Sequence, residues 1–187
     1  MRQRWRVGLA GLVIASAIGA AASRPAWVPF ESTPREVVSA MLRLAIVGPK
    51  DVVVDLGCGD GRIVIEAAGA RGARGICVDL DPVRLSHARA NAQRAGVSER
   101  IEFRSEDVLD TSLAGVTVVA MFLSADLNHA LRPRFERELA GGARVVSHWH
   151  DMGDWQPDRI EHVRAAGHTR AIYLWIMAPR ARLHSGP

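Results

Sequence analysis

Cysteine, lysine and uncompensated charge are all scarce in this 187-residue chain. Its two cysteines, Cys58 and Cys77, are too few for a disulfide-rich scaffold, so a packed core must carry the fold. Lys50 is the single lysine, and nearly all the basicity is arginine. The net charge of +4 sits at the start of the chain, where residues 1–24 hold Arg2, Arg4, Arg6 and Arg24 and no acid. Setting those four aside leaves 20 basic and 20 acidic side chains over residues 25–187. That balance disfavours a strongly basic nucleic-acid-binding domain, because neutralising phosphates needs a local cationic surplus. Disorder is disfavoured too, since 48% of the residues are hydrophobic. The length fits one domain, and no internal repeat is present.

Behind the basic MRQRWR, residues 7–23 (VGLAGLVIASAIGAAAS) carry no charge. This is the layout of an export signal or a signal anchor. The stretch lies near the lower limit for a spanning helix, about 17 residues, and Ala20-Ala21-Ala22 offers a small-residue cleavage site. An N-terminal hydrophobic helix acting as anchor and a removable signal peptide are both expectations here. Three arginines ahead of the segment against Arg24 behind it favour a cytoplasmic N-terminus, with the domain on the other side. Residues 25–32 read as a linker, and 33–187 as the folded domain.

Thr33-Pro34-Arg35-Glu36 predicts a helix start, with Thr33 capping and Glu36 completing a capping box. Val37, Val38, Met41, Leu42, Ala45 and Ile46 follow at helical spacing until Gly48-Pro49. Short apolar, β-branched runs at 51–56 (DVVVDL), 75–80 (GICVDL), 101–104, 117–123, 143–147 and 170–177 predict strands, with 159–163 pairing the last as a hairpin. Helices are expected at 63–70, from Asp81-Pro82 to about 95, and at 127–139, where Pro133 kinks or restarts the helix. This alternation predicts an α/β fold, a Rossmann-like, doubly wound, mostly parallel sheet.

Chemistry is concentrated in Val53-Val54-Asp55-Leu56-Gly57-Cys58-Gly59-Asp60-Gly61-Arg62, between a predicted strand and a predicted helix. The glycines permit a tight turn and let a ligand press against bare backbone. The spacing is G-x-G-x-G with Arg62 next, not the G-x-G-x-x-G of dinucleotide sites. A pyrophosphate is repelled by Asp55 and Asp60, whereas a nucleoside carrying positive charge is attracted. Asp79 ends the second strand, where an acid can accept from vicinal ribose hydroxyls. Asp107, in Ser105-Glu106-Asp107, follows the third strand on the adenine side, with Glu106 or Asp110 taking its place if the strand boundary slips.

These residues resemble those of class I S-adenosylmethionine-dependent methyltransferases. The resemblance implies that Asp55, Gly57, Cys58 and Gly59 line the methionine and ribose portion of S-adenosyl-L-methionine. It also implies that Asp79 holds the ribose and Asp107 approaches the base. It implies a seven-stranded sheet in the order 3-2-1-4-5-7-6. Residues 29–41 (PFESTPREVVSAM), 53–66 (VVDLGCGDGRIVIE), 137–147 (RELAGGARVVS) and 155–158 (WQPD) resemble a family of membrane-anchored methyltransferases. Its eukaryotic members methylate lysines of the adenine nucleotide translocase and the ATP synthase c subunit. That likeness implies a protein substrate, with membrane proteins among the candidates. The balanced charge and the lack of an Asn/Asp-Pro-Pro-aromatic motif after strand four argue against a nucleic-acid partner. The strand-four end departs from the family's aromatic and leucine-proline pattern, reading Phe122-Leu123-Ser124-Ala125.

Phe122 and Ser124 are therefore the acceptor-side candidates. In-line transfer to a neutral amine needs alignment and desolvation more than a strong base. A small-molecule methyltransferase and a membrane-attached cofactor-binding module without turnover are the alternatives. Cys58 has no neighbouring base and reads as a small space-filling residue. His148-Trp149-His150 places two imidazoles on one strand face, but no third ligand is identifiable, so no metal is expected, and the segment reads as substrate-pocket lining or a surface loop. Trp149 and Trp155 are candidates for gating or for packing. Location is divided: the charge rule points the domain outward, whereas cofactor supply favours the cytosolic side.

Overall fold

The computed structural model describes residues 31–179. The leader and its expected hydrophobic helix lie outside the described residues. Among the described residues no helix is long and apolar enough to cross a membrane.

Eleven elements follow in order: α1 (Arg35–Leu44), β1 (Val52–Leu56), α2 (Arg62–Arg71), β2 (Arg74–Asp79), α3 (Pro82–Arg94), β3 (Ile101–Ser105), β4 (Val118–Met121), α4 (Ala125–Glu138), β5 (Arg144–His148), β6 (Arg159–Ala165) and β7 (His168–Ile176). A single 3₁₀ turn precedes β3. The seven strands form one sheet in the order β3-β2-β1-β4-β5-β7-β6, as the resemblance implies. The expectation of a mostly parallel sheet needs correction, because the sheet is mixed. β3, β2, β1, β4 and β5 are parallel neighbours, whereas β7 runs antiparallel to both β5 and β6. The cause is the closing hairpin, whose two-residue turn puts Ala166 and Gly167 at φ 50° and 80°. Two positive φ values in sequence give the turn whose twist suits a tight hairpin.

Successive residues of each central strand face opposite sides, and both sides are buried. Val53, Val118 and Val146 join the core under α1, while Val54, Val119 and Val145 join the core under α4. α1, α2 and α3 pack side by side on one face. Opposite them α4 supplies Leu131 and Phe135, and runs unbroken through Pro133 rather than restarting there.

The start of α1 differs from the expected capping box. Pro34 takes the cap position without a side-chain bond. Thr33 is buried instead, with Oγ1 3.3 Å from Nδ1 of His148. An inward hydroxyl that partners a buried imidazole relieves a desolvation cost that water already meets at an exposed helix end.

Candidate active site

All the parallel strands point their C-terminal ends to one edge, and the chemistry-bearing residues collect there. Register fixes their neighbours: Leu56 lies beside Val78 and Met121, Asp79 beside Ser105, and Met121 beside Ser147. One residue beyond those positions come Gly57, Phe122 and His148.

The glycine loop, residues 57–61, is held from several sides. The N–H groups of Gly57 and Cys58 both donate to the Val78 carbonyl, at 2.9 Å each. Gly61 N–H donates to the Cys58 carbonyl at 2.8 Å. Asp79 Oδ2 accepts from Gly59 N–H, and its Oδ1 accepts from Asp81 N–H, both at 2.9 Å. From α3, Asn91 Nδ2 donates to the Asp60 carbonyl at 2.8 Å. Gly57, Gly59 and Gly61 have φ of 78°, 55° and 79°, a region that strains any side chain. A Cβ at Gly61 would stand 3.0 Å from the Ala88 Cβ, so this glycine also lets α3 pack against the loop.

Cys58 is a correction. It is not a mere space-filler but forms a disulfide with Cys77 of β2, with Cα atoms 5.3 Å apart. The crosslink encloses α2, and closing a loop of this length removes about 3 kcal/mol of chain entropy from the unfolded state.

Asp55 lies on β1 under the loop, with 3% of its surface exposed. Burial, and then the nearby carboxylates of Asp79 and Asp60, push its pKa up to about 8. Asp60 is not left for a ligand: Arg62 grips both its oxygens, at 2.9 and 2.6 Å. Burial pushes the Asp60 pKa up, but the hydrogen bonds and charge of Arg62 outweigh it and leave it lowered. Asp107 sits two residues past Ser105, the register partner of Asp79. Its Oδ1 accepts from Leu109 N–H at 2.9 Å and shapes the turn after β3.

The acceptor-side candidates separate. Phe122 faces His148 with ring centres 4.1 Å apart, and His150 at 6.4 Å. Ser124 is the N-cap of α4, accepting from Leu127 N–H, so its hydroxyl has a structural duty. Between them, Leu123 reaches the glycine loop: a Cβ on Gly57 would meet its Cδ2 at 2.8 Å. Phe122 and the loop therefore belong to one continuous edge.

His148 does not share a strand face with His150 in the expected way. β5 ends at His148, and Trp149 turns the chain with φ 73°. His148 is fully buried, and burial followed by the Arg170 charge pushes its pKa down to about 4. Asn128, buried in α4, ties the following turn down, its Nδ2 donating to Ser147 Oγ and to the carbonyls of His150 and Asp151. Among the described residues no group of three or more metal-ligating side chains is assembled. Trp155 packs on Trp175 at 5.7 Å, whereas Trp149 remains 44% exposed under the Arg170 guanidinium.

Sequence reasoning missed the exposed Leu80 and the contact between Thr33 and His148. Leu80 follows Asp79 with 63% of its surface exposed, an apolar platform beside the proposed ribose acid. Its signal was an apolar side chain at a strand end, where a buried strand has no need of one. Thr33 and His148 meet across 115 positions, for which the sequence carries no local signal.

The residues present suit S-adenosylmethionine. A bare-backbone cradle abuts a buried carboxyl whose pKa burial raises despite the Arg62 charge nearby, and a second carboxylate braces the cradle. That donor set favours a ligand with hydroxyls and positive charge over a phosphate.

Comparison with known proteins points the same way. Residues 55–159 match the family described as the ANTKMT methyltransferase domain. A protein-lysine N-methyltransferase of Saccharolobus islandicus is 36% identical over 151 residues, covering 80% of this chain and 94% of that protein. The adenine nucleotide translocase lysine N-methyltransferase of Mus musculus is 36% identical over 132 residues, covering 70% of this chain and 56% of its own length. This chain thus spans little more than half of that mouse relative. Among solved structures, an RNA methyltransferase from Salinibacter ruber in complex with S-adenosyl-L-homocysteine has a TM-score of 0.75 and 41% identity, covering 84% of this chain and all of the other.

Proposed function

The chain belongs to the ANTKMT methyltransferase-domain family and is an S-adenosylmethionine-dependent methyltransferase, and from that premise we propose that it methylates lysine side chains of a protein. The observation that carries the proposal is the junction of the two half-sites, where Leu123 rests on Gly57 and Phe122 stands beside neutral His148. Relatives similar over most of this chain carry protein-lysine and adenine nucleotide translocase lysine methyltransferase names.

Asp55, Gly57, Cys58 and Gly59 would hold the methionine and ribose side of the cofactor. Asp79 would meet the ribose, and Asp107 the base. The cofactor supplies a methyl group already made electrophilic by its sulfonium. The protein's task is to align an acceptor with that methyl and to exclude water. Phe122 forms the apolar wall of the acceptor side. His148, with its pKa near 4, stays uncharged at neutral pH and sets no positive charge against an incoming amine. Ser124 fixes the start of α4 and so the direction in which the strand-four end leaves the sheet.

No helix or strand is inserted at this edge among the described residues, where β4 passes to α4 through 122–124 and β5 to β6 through 149–158. An open edge suits a protein segment better than an enclosed small molecule. The leader, residues 1–24, supports attachment to a membrane and hence a membrane-protein substrate. Protease accessibility on intact cells decides which side the domain faces.

A labelled-methyl assay on a membrane extract tests the proposal. Label is expected in a discrete protein band, on lysine, and absent with Gly57→Arg. Label in the nucleic-acid fraction or in small molecules would replace the substrate assignment, and its absence everywhere would favour a binding module without turnover.

A further inference from the structure

The chain's only two cysteines join the most torsionally free part of the site to one of its most fixed parts. Cys58 lies between Gly57 and Gly59, both at positive φ. Cys77 lies inside β2, flanked in register by Asp55 of β1 and Phe103 of β3. We infer that the Cys58–Cys77 bond is a redox latch on the cofactor loop, holding it ready for cofactor when oxidised and weakening cofactor binding when reduced. The inference rests on the cofactor reading above.

The latch doubles a connection that the site already uses. Asp79, two residues past Cys77, accepts from the N–H of Gly59, one residue past Cys58. With the disulfide closed, that carboxylate and that N–H are held together by a covalent bridge two residues away. With it open, the loop keeps the Val78 carbonyl and Asp79 contacts but regains torsional freedom around two glycines. A cofactor must then order the loop as it binds. The expected loss is about tenfold in affinity, the order for returning backbone freedom to one residue.

Access is gated by the same loop. Cys58 is 5% exposed and Cys77 not at all, in a cluster with Val64, Leu85 and Ala88. A reductant therefore reaches the sulfurs only when the loop lifts, which a seated ligand opposes. The chemistry is thiol–disulfide exchange with a dithiol. Its thiolate attacks Cys58 Sγ, the S–S bond breaks, and Cys77 leaves as thiolate and takes a proton. The second thiol of the reductant then displaces Cys58. Both cysteines end as thiols and the dithiol as its cyclic disulfide, with two electrons transferred. An oxidising compartment would keep the latch closed, which agrees with the outward orientation the leader's arginines favour.

The test titrates S-adenosylhomocysteine into the full chain by calorimetry before and after dithiothreitol, with thiols counted by iodoacetamide labelling on a parallel sample. The oxidised protein should bind about tenfold more tightly than the reduced one. Reciprocity requires a second effect: saturating S-adenosylhomocysteine should shift the dithiothreitol ratio that half-reduces the bond by the same factor. The double variant Cys58→Ala/Cys77→Ala should bind like the reduced protein and ignore dithiothreitol. If that variant does not fold, reduction of the unaltered protein carries the test. Equal affinity with two thiols counted, or two free thiols in the oxidised preparation, would overturn the latch alone. No binding in either state would overturn the cofactor reading as well.

Discussion

The two ends of the active edge are fastened in different ways. At β1 and β2 the loop is fixed by backbone hydrogen bonds, by the Asp79 carboxylate and by a covalent bridge. At β4 and β5 the surface rests mainly on side chains, Phe122 against His148, His148 against Thr33, and Asn128 under the turn beyond, with the Trp149 N–H donating to the Ala171 carbonyl at 2.8 Å. Backbone-built geometry depends on glycine and little else, so it suits a ligand common to a whole family. Side-chain geometry changes with each substitution, so it suits an acceptor that differs between relatives. The departure from the family's strand-four ending falls on that second end.

The comparison is broken most severely at Gly61. Gly61→Ala places a side chain at φ 79° and 3.0 Å from Ala88. The strain and crowding should cost about 2–3 kcal/mol of stability and lower S-adenosylhomocysteine affinity more than tenfold. Thermal melting and calorimetry read both. Phe122→Ala should act on the other end only, reducing labelled-methyl transfer about tenfold while cofactor affinity stays within about twofold. If affinity falls in parallel with transfer, the two ends are not separable.

Asp55 sharpens the cofactor side through pH. Its folded pKa of about 8 exceeds the ordinary aspartate value of 3.8, so it is protonated at pH 7 in the free protein. A cation seated beside it favours ionisation, and binding should release a proton. Affinity should therefore rise between pH 6 and pH 8. Calorimetry in buffers of differing ionisation enthalpy reports the proton directly. The stability of the free protein moves the opposite way. The Asp55 contribution is fully present below pH 3.8 and is lost as pH rises through 8. The smallest effect belongs to Thr33→Val, which removes one buried hydrogen bond to His148 and should cost about 1 kcal/mol in chemical denaturation.

The sheet was legible because its strands are apolar on both faces. DVVVDL and GICVDL leave no solvent side, which only a covered parallel strand tolerates. The strand order came through the family likeness, and the antiparallel edge was legible as the expected hairpin of 159–163 with 170–177, although Ala166-Gly167 is a weak turn signature. The glycine loop was legible from spacing, yet its disulfide was not. Cys58 and Cys77 lie 19 residues apart across a helix, a separation that fixes no contact until β1 and β2 are paired. Ser124 borders the site as its position implies, and its cap bond to α4 is a role that spacing alone does not reveal. Thr33 shows the reverse: a residue typed as a cap turned inward once a distant imidazole needed a partner.

Everything proposed for the acceptor end presupposes a cofactor at the braced end, so Asp79 carries the central test. S-adenosylhomocysteine titrated into the full chain should bind one to one, and Asp79→Ala should abolish or greatly weaken that binding because Gly59 and Asp81 lose their shared acceptor. An Asp79→Ala protein that stays folded and binds with unchanged affinity would contradict the account.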